Sequence, residues 1–119
     1  MKVLSIDQMH QLKELGVDVK PKGMCLMYTS DSSDDYYLKY GESTCEDDIK
    51  AFSLQDIIEL LPYTFNNNYL RIYRSISIYY FIYENMNLED DIIEKGRNPL
   101  EAAYNMLIWV IENGYLKTK

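Results

Sequence analysis

Residues 98–115 read NPLEAAYNMLIWVIENGY, and this stretch carries the clearest local structure signals in the chain. Asn98 is a preferred N-cap residue, Pro99 fits the first helical position, and Glu101 stands where a capping acid reaches back toward the helix start. Gly114 suits the left-handed conformation that ends a helix. These signals predict a helix that begins at Pro99 and ends before Gly114.

The predicted final helix is apolar over more than one face. At about 100° per residue one stripe faces the core; it contains Leu100, Ala103, Tyr104, Leu107, Val110 and Ile111. A second apolar group, made of Ala102, Met106 and Trp109, lies on the side away from that stripe. Further helices packed over this side would bury the group within the chain, whereas a self-association or partner surface would use Trp109 as its anchor. The sequence leaves both interpretations open.

The same kinds of signal predict two further helices. Ser5 caps a helix from about Ile6 to Leu15, and Gln8 completes its capping box. Ser53 caps a second helix, which Pro62 ends because the residue before a proline is disfavoured in the helical conformation.

Four strands in two hairpins are predicted between these helices. Because hairpins join antiparallel strands, the pattern predicts one α+β domain over residues 1–119, in the order α-β-β-α-β-β-α. Its helices are expected to cover one face of a four-stranded antiparallel sheet. An acidic connection follows the second hairpin, with one short turn expected near residues 88–93. The strands are predicted at Met24–Thr29, Tyr36–Tyr40, Tyr69–Tyr73 and Ile76–Tyr83.

Alternation along the last of these strands separates two faces. One face carries Ile76, Ile78, Tyr80 and Ile82, and we predict that it belongs to the core. The opposite face carries Tyr79, Phe81 and Tyr83, and it is more aromatic than a solvated face requires.

The chain contains 12 tyrosines in 119 residues, and most of them fall on or beside predicted strands. Half-buried rings with wet hydroxyls suit an amphipathic sheet, and an aromatic recognition surface is the functional alternative. Together with the final helix, this pattern defines a candidate interface: Ala102, Met106, Trp109, Tyr79, Phe81 and Tyr83.

The formal net charge of −7 opposes general binding to nucleic acid or to anionic membranes. Solubility explains an acidic surface, and an acidic inhibitor or nucleic-acid mimic that binds a basic partner is the alternative. No stretch approaches the roughly 18 apolar residues of a membrane-spanning helix. We therefore predict a cytoplasmic protein with no nucleic-acid or membrane partner.

No recognisable catalytic set stands out in the sequence. Cys25 and Cys45 lack the spacing of a redox or zinc motif, and His10 is the single histidine. The five glycines are scattered, so they do not form a phosphate-binding loop. The prediction is a non-enzymatic chain with no catalytic residues, no cofactor and no metal.

Two helical segments, residues 52–62 and 101–115, together with the opening residues 4–16, resemble a family of small uncharacterised proteins from gut Bacteroides-type bacteria and their prophages. The resemblance implies a mobile-element or accessory gene and carries over no catalytic residue. The predicted function is a protein-protein interaction or accessory module whose partner is unknown, with a homodimer as one option.

Overall fold

The computed structural model describes residues 2–30, 35–87 and 90–116, which form three helices and two antiparallel sheets. The predicted α+β class is confirmed. The chain divides into two compact units, Val3–Phe52 and Ser53–Lys117. The first unit holds one helix and one sheet, and the second holds two helices and the other sheet.

The first unit has a three-stranded sheet with β1 in the middle and β2 and β3 antiparallel on either side. β1 and β2 are the first predicted hairpin, and β3 was not predicted. Residues 31–34, which lie between the two strands of this predicted hairpin, are outside the described residues. The elements are α1 (Ile6–Glu14), β1 (Cys25–Ser30), β2 (Tyr36–Gly41) and β3 (Ile49–Lys50).

The predicted ends of α1 are confirmed by hydrogen bonds. The Gln8 amide donates to Ser5 Oγ at 3.1 Å, and the Ser5 amide donates to Gln8 Oε1 at 2.9 Å, which completes the capping box. Met9 and Leu12 are buried on the inward side of the helix. At the other end Gly16 adopts a φ of 92°, the left-handed conformation that favours glycine.

The second unit has a four-stranded antiparallel sheet in the order β4-β5-β6-β7. β5 and β6 are the second predicted hairpin, and their turn is tight, because the Ser75 amide donates to the Ile78 carbonyl at 2.8 Å. The elements are α2 (Leu54–Leu60), β4 (Thr64–Phe65), β5 (Asn68–Arg74), β6 (Tyr79–Asn85), β7 (Ile92–Gly96) and α3 (Pro99–Glu112).

The prediction of one sheet made from both hairpins was wrong, because each hairpin lies in a separate sheet. The second sheet reaches four strands by adding β4 and β7 to its hairpin. β4 is joined to β5 by a two-residue turn, Asn66-Asn67, in which both residues have positive φ, at 46° and 66°. This conformation is typical of hairpin turns, and asparagine tolerates it better than most residues. β7 occupies part of the connection predicted to be a turn, of which residues 88 and 89 lie outside the described residues.

α3 begins and ends as predicted, with one difference at its start. Asn98 Oδ1 accepts the Glu101 amide at 2.9 Å, but the Glu101 carboxylate accepts the Arg97 amide, one residue before the cap. At the C-terminus Gly114 has a φ of 80°, and the Tyr115 amide donates to the Val110 carbonyl at 3.0 Å. Together with the bond from the Gly114 amide to the Ile111 carbonyl at 3.1 Å, this bond forms a Schellman motif, which turns Tyr115 back toward the helix.

α3 packs against β6 and β7 and also against α2. Both apolar groups of this helix are largely buried. Leu107 of the predicted core stripe is fully buried, and so are Ala102 and Met106 of the second apolar group. Among the helices of the described residues, none combines the length and the apolar character needed to cross a membrane.

Candidate interaction surface

The two faces of the second sheet follow from its strand register. Residues directly opposite each other in an antiparallel pair share a face, and alternate residues along a strand share a face. Tyr80 of β6 lies opposite Tyr73 of β5 and Lys95 of β7, and Ile82 lies opposite Arg71 and Ile93. We call the set that includes these residues the outer face. It consists of Tyr69, Arg71, Tyr73, Tyr80, Ile82, Glu84, Ile93 and Lys95.

The opposite face, the inner face, carries Tyr79, Phe81 and Tyr83 of β6. Phe81 and Tyr83 are fully buried, so this face belongs to the core and neither residue is presented to a partner; the prediction that the other face is the core face was wrong. The physical reason lies in β7, where Gly96 stands opposite Tyr79 and has no side chain. A Cβ at Gly96 would lie 2.6 Å from the Ala102 backbone nitrogen, which shows how closely α3 approaches this side of the sheet.

The prediction that Ile76 belongs to the core was also wrong. β6 begins at Tyr79, and Ile76 lies at the turn with 99% of its surface exposed. Tyr80 and Ile82, which were predicted on the same core face, are half-buried on the outer face. Strict alternation identified which residues share a face, but it did not identify which face meets a helix.

The candidate interface residues on α3 are also placed by the structure. Ala102 and Met106 are fully buried, so neither is presented to a partner in this conformation. Trp109 is half-buried by its own chain: its ring lies 5.8 Å from the Tyr115 ring and 6.3 Å from the Phe65 ring, in stacked arrangements. The Schellman turn positions Tyr115 for this contact. Trp109 is therefore part of an intramolecular aromatic cluster.

Tyr83 also belongs to this aromatic cluster and packs on its buried side. Its ring packs edge-on against Phe65 at 4.6 Å between centroids, and its hydroxyl donates to the Pro62 carbonyl at 2.7 Å. Burial raises the pKa of the Tyr83 hydroxyl well above its usual value. Of the three candidate interface residues on β6, Tyr79 is the one that is not fully buried, and the Arg74 guanidinium lies 5.6 Å from its ring centroid.

The outer face is organised around the Glu84 carboxylate. Tyr69 Oη donates to Glu84 Oε2 at 2.7 Å, and Tyr73 Oη donates to Glu84 Oε1 at 2.8 Å. Arg71 Nη1 lies 3.3 Å from Glu84 Oε2, and its guanidinium lies 4.8 Å from the Tyr73 ring centroid. One carboxylate therefore holds two tyrosine rings and one arginine in a fixed arrangement. We call these four residues the Glu84 cluster.

The protonation states in the Glu84 cluster follow from these contacts. Hydrogen bonds from Tyr69 and Tyr73, together with the nearby Arg71, lower the pKa of Glu84. The hydrogen bond to Glu84 and partial burial raise the pKa of Tyr73. At neutral pH the carboxylate is therefore ionised and the Tyr73 hydroxyl is protonated. A general acid or base works best with a pKa near the working pH, so these shifts favour a structural arrangement over proton transfer.

Part of the outer face is open to solvent. Tyr73 is 36% exposed and Ile93 is 52% exposed, while Tyr69, Tyr80 and Ile82 are half-buried. Tyrosine, arginine and large aliphatic residues together are typical of protein-protein interfaces. The candidate interface was thus assigned to the inner face of β6, whereas the partly exposed aromatic residues lie on the outer face. The alternation of Tyr69, Arg71 and Tyr73 in β5 places these three residues on one face, but it does not show which face α3 covers.

A polar pocket of the first unit is a second place of interest. Its most buried member is Asp48, whose Oδ2 accepts the Ser43 hydroxyl at 2.9 Å and the Thr44 and Cys45 amides at 3.2 and 3.3 Å. These bonds hold the loop closed, so Asp48 has a structural role. Among the described residues no group of three or more histidine, cysteine or acidic side chains is placed to hold a metal ion. The pocket is lined by Lys20, Pro21, Ser43, Cys45, Glu46, Asp47 and Asp48.

Substitution of Asp48 is expected to destabilise the protein in a pH-dependent way. Burial alone would raise the pKa of Asp48, but hydrogen bonds from Thr29, Ser43 and the loop amides outweigh it and lower the pKa. A carboxyl whose pKa is lowered by folding stabilises the protein above its unfolded pKa, and this contribution is lost as pH falls through the folded pKa. We expect Asp48→Ala to lower the free energy of unfolding at pH 7 by about 1–2 kcal/mol.

Urea unfolding of wild type and Asp48→Ala between pH 7 and pH 3 measures this effect. The difference between the two proteins should shrink as the pH falls. The exposed neighbour Asp47 provides the matched control, and Asp47→Ala should change stability by less than about 0.5 kcal/mol. A difference for Asp48→Ala that stays constant over the whole pH range would contradict the assignment.

Comparison of the chain with protein-family models, with curated protein sequences and with solved structures gave no match.

Proposed function

We propose that this protein is a non-enzymatic interaction module that binds another protein through the outer face. The observation that supports this proposal most strongly is the Glu84 cluster, which fixes Tyr69, Tyr73 and Arg71 on a partly exposed sheet surface. Side chains that are already ordered lose little conformational entropy when a partner binds. Tyrosine and arginine are also the residues that contribute most often to binding hot spots.

The charge of the outer face suggests the chemistry of its partner. Arg71 and Glu84 form an ion pair, and Lys95 adds a positive charge on the same face. The outer face as defined therefore includes two cations and one anion, in a chain whose formal charge is −7. We propose a protein partner that presents apolar side chains together with carboxylates, because these groups complement the tyrosines, Ile93 and the cations.

The alternative function, an acidic inhibitor or nucleic-acid mimic, requires carboxylates that point toward the partner. Two of the chain's acidic residues are used internally. Asp48 accepts hydrogen bonds from its own loop, and Glu84 accepts them from two tyrosines. These contacts favour the interaction module over the mimic.

We further propose that the module acts in the cytoplasm and belongs to a mobile-element or accessory gene. Cys25 and Cys45 are unpaired in the structure, which suits a reducing compartment. The gene context rests on the family resemblance of the helical segments.

Photo-cross-linking in cells of the natural host tests the proposed binding surface. A photoreactive phenylalanine analogue replaces Tyr73 on the outer face, and in a matched variant it replaces Tyr63, an exposed tyrosine of the same unit that is outside this face. We expect one protein to be captured from position 73 in preference to position 63. Equal capture from both positions, or capture of nucleic acid from position 73, would contradict the proposal.

A further inference from the structure

The edge of the first sheet is formed by β2, a six-residue strand that pairs with β1 along its whole length without a bulge. An edge strand presents a row of backbone N–H and C=O groups that another strand can bind. Proteins ordinarily protect such edges with charges, prolines or bulges. β2 carries one charged residue, Lys39, and no proline.

The hydrogen bonds of the sheet identify which residues of β2 face outward. The Ala51 amide donates to the Leu26 carbonyl at 3.0 Å, so the backbone groups of Leu26 point toward β3. Backbone groups alternate in direction along a strand, so those of Met27 point toward β2, where Lys39 is its partner. The backbone groups on the free edge of β2 therefore belong to Tyr36, Leu38 and Tyr40.

The side chains along this edge are also open. Tyr37 is 51% exposed, Leu38 is 46% exposed and Tyr40 is 66% exposed. Within the described residues, this is a strand with free backbone groups and exposed apolar side chains on both faces. Both features favour the addition of another strand.

We propose that β2 pairs antiparallel with β2 of a second copy of this chain, with Leu38 opposite Leu38 at the two-fold axis. This register places the outward residue Tyr36 opposite Tyr40, so all outward backbone groups in the overlap form hydrogen-bonded pairs. On the other face it places Tyr37 opposite Lys39, a favourable cation-π pair. The two three-stranded sheets then join into one sheet of six strands.

Other registers that obey the same hydrogen-bond alternation are less favourable. A shift toward the C-terminal end of β2 places Lys39 opposite Lys39, and like charges in opposite positions are destabilising. A shift toward the N-terminal end shortens the paired segment. The β2 strand of a second copy is thus complementary to this edge. In addition, β2 carries no acidic residue, although the whole chain is acidic. This inference does not depend on the outer face, which belongs to the other unit.

Position-specific disulfide formation tests the proposed register. In a background where Cys25 and Cys45 are replaced by serine, Leu38→Cys places two thiols opposite each other with Cα atoms about 5.5 Å apart, within disulfide range. Tyr40→Cys is the matched control, because the two copies of residue 40 would lie roughly 13 Å apart along the strands. Mild oxidation should therefore link Leu38→Cys into dimers and leave Tyr40→Cys largely monomeric.

Light scattering of the wild-type chain provides an independent measurement that needs no cysteine variant. We expect a dimer mass at about 100 µM, and we expect Leu38→Lys, which places like charges at the two-fold axis, to give a monomer. Circular dichroism checks that each variant is folded. A monomeric wild-type chain at this concentration, or equal cross-linking of Leu38→Cys and Tyr40→Cys, would overturn the proposal.

Discussion

Phe81→Ala is expected to lower the free energy of unfolding by about 3–5 kcal/mol, the cost of removing a large aromatic side chain from a packed core. Phe81 is fully buried on the inner face of β6, between Ile72 of β5 and Glu94 of β7. α3 packs against both β6 and β7, so the neighbouring structure has little freedom to fill the cavity. This substitution therefore distinguishes the observed orientation of the strand from the predicted one.

Urea unfolding at pH 7 measures the effect of Phe81→Ala. The adjacent residue Ile82 provides the matched control, because it lies on the outer face and is half-buried. We expect Ile82→Ala to cost about 1 kcal/mol, well below the cost at Phe81. The predicted orientation, with Ile82 in the core and Phe81 outside, requires the reverse order of the two effects.

Gly96→Ala is expected to destabilise the protein by about 1–3 kcal/mol, or more if the strand and helix must separate. A Cβ at this position would lie 2.6 Å from the Ala102 nitrogen and 2.9 Å from Glu101 Cβ. The nearest atom belongs to the backbone of α3, so a change of side-chain rotamer would not relieve the contact. The expected cost therefore comes from the close approach of α3 to β7.

The control for this prediction is Gly23→Ala. Gly23 has a φ of 63°, and a Cβ there would meet no heavy atom within 4 Å, so the substitution introduces backbone strain without a clash. We expect Gly23→Ala to cost about 1 kcal/mol. Thermal unfolding of both variants separates the two causes. If Gly96→Ala is as stable as wild type, α3 does not approach β7 as closely as the structure indicates.

The helices could be predicted because their ends depend on local chemistry. Ser5, Ser53 and Asn98 cap their helices as predicted, and Gly16 and Gly114 adopt the left-handed conformation at the ends of α1 and α3. Each of these signals requires hydrogen bonds within about one helical turn. Tertiary packing had little opportunity to override them.

The short strands could not be predicted in the same way. β3 and β4 contain two residues each, too few to show alternation. For β4, however, the sequence contains a local signal, since Asn66-Asn67 suits a two-residue hairpin turn. β7 lies in an acidic region, and its pairing with β6 depends on contacts that are distant in sequence. The division into two sheets follows from these additional strands.

The candidate interface required knowledge that the sequence does not contain. Alternation assigned Phe81 and Tyr83 to one face of β6, but only the position of α3 determines that this face is the inner one. The Glu84 cluster depends on register, which places Glu84 opposite Tyr69. The sequence therefore indicated that the sheet is rich in aromatic residues, but the residues chosen for the candidate interface lie on the inner face.

The central claim is that the outer face binds a protein. The most direct test is the dissociation constant of the protein captured by photo-cross-linking, measured with the purified chain by isothermal titration calorimetry. We expect the double variant Arg71→Ala/Tyr73→Ala to raise this constant at least about tenfold, as the loss of one hot-spot contribution would. Tyr63→Ala should leave it unchanged. Equal dissociation constants for wild type and the folded double variant would contradict the claim.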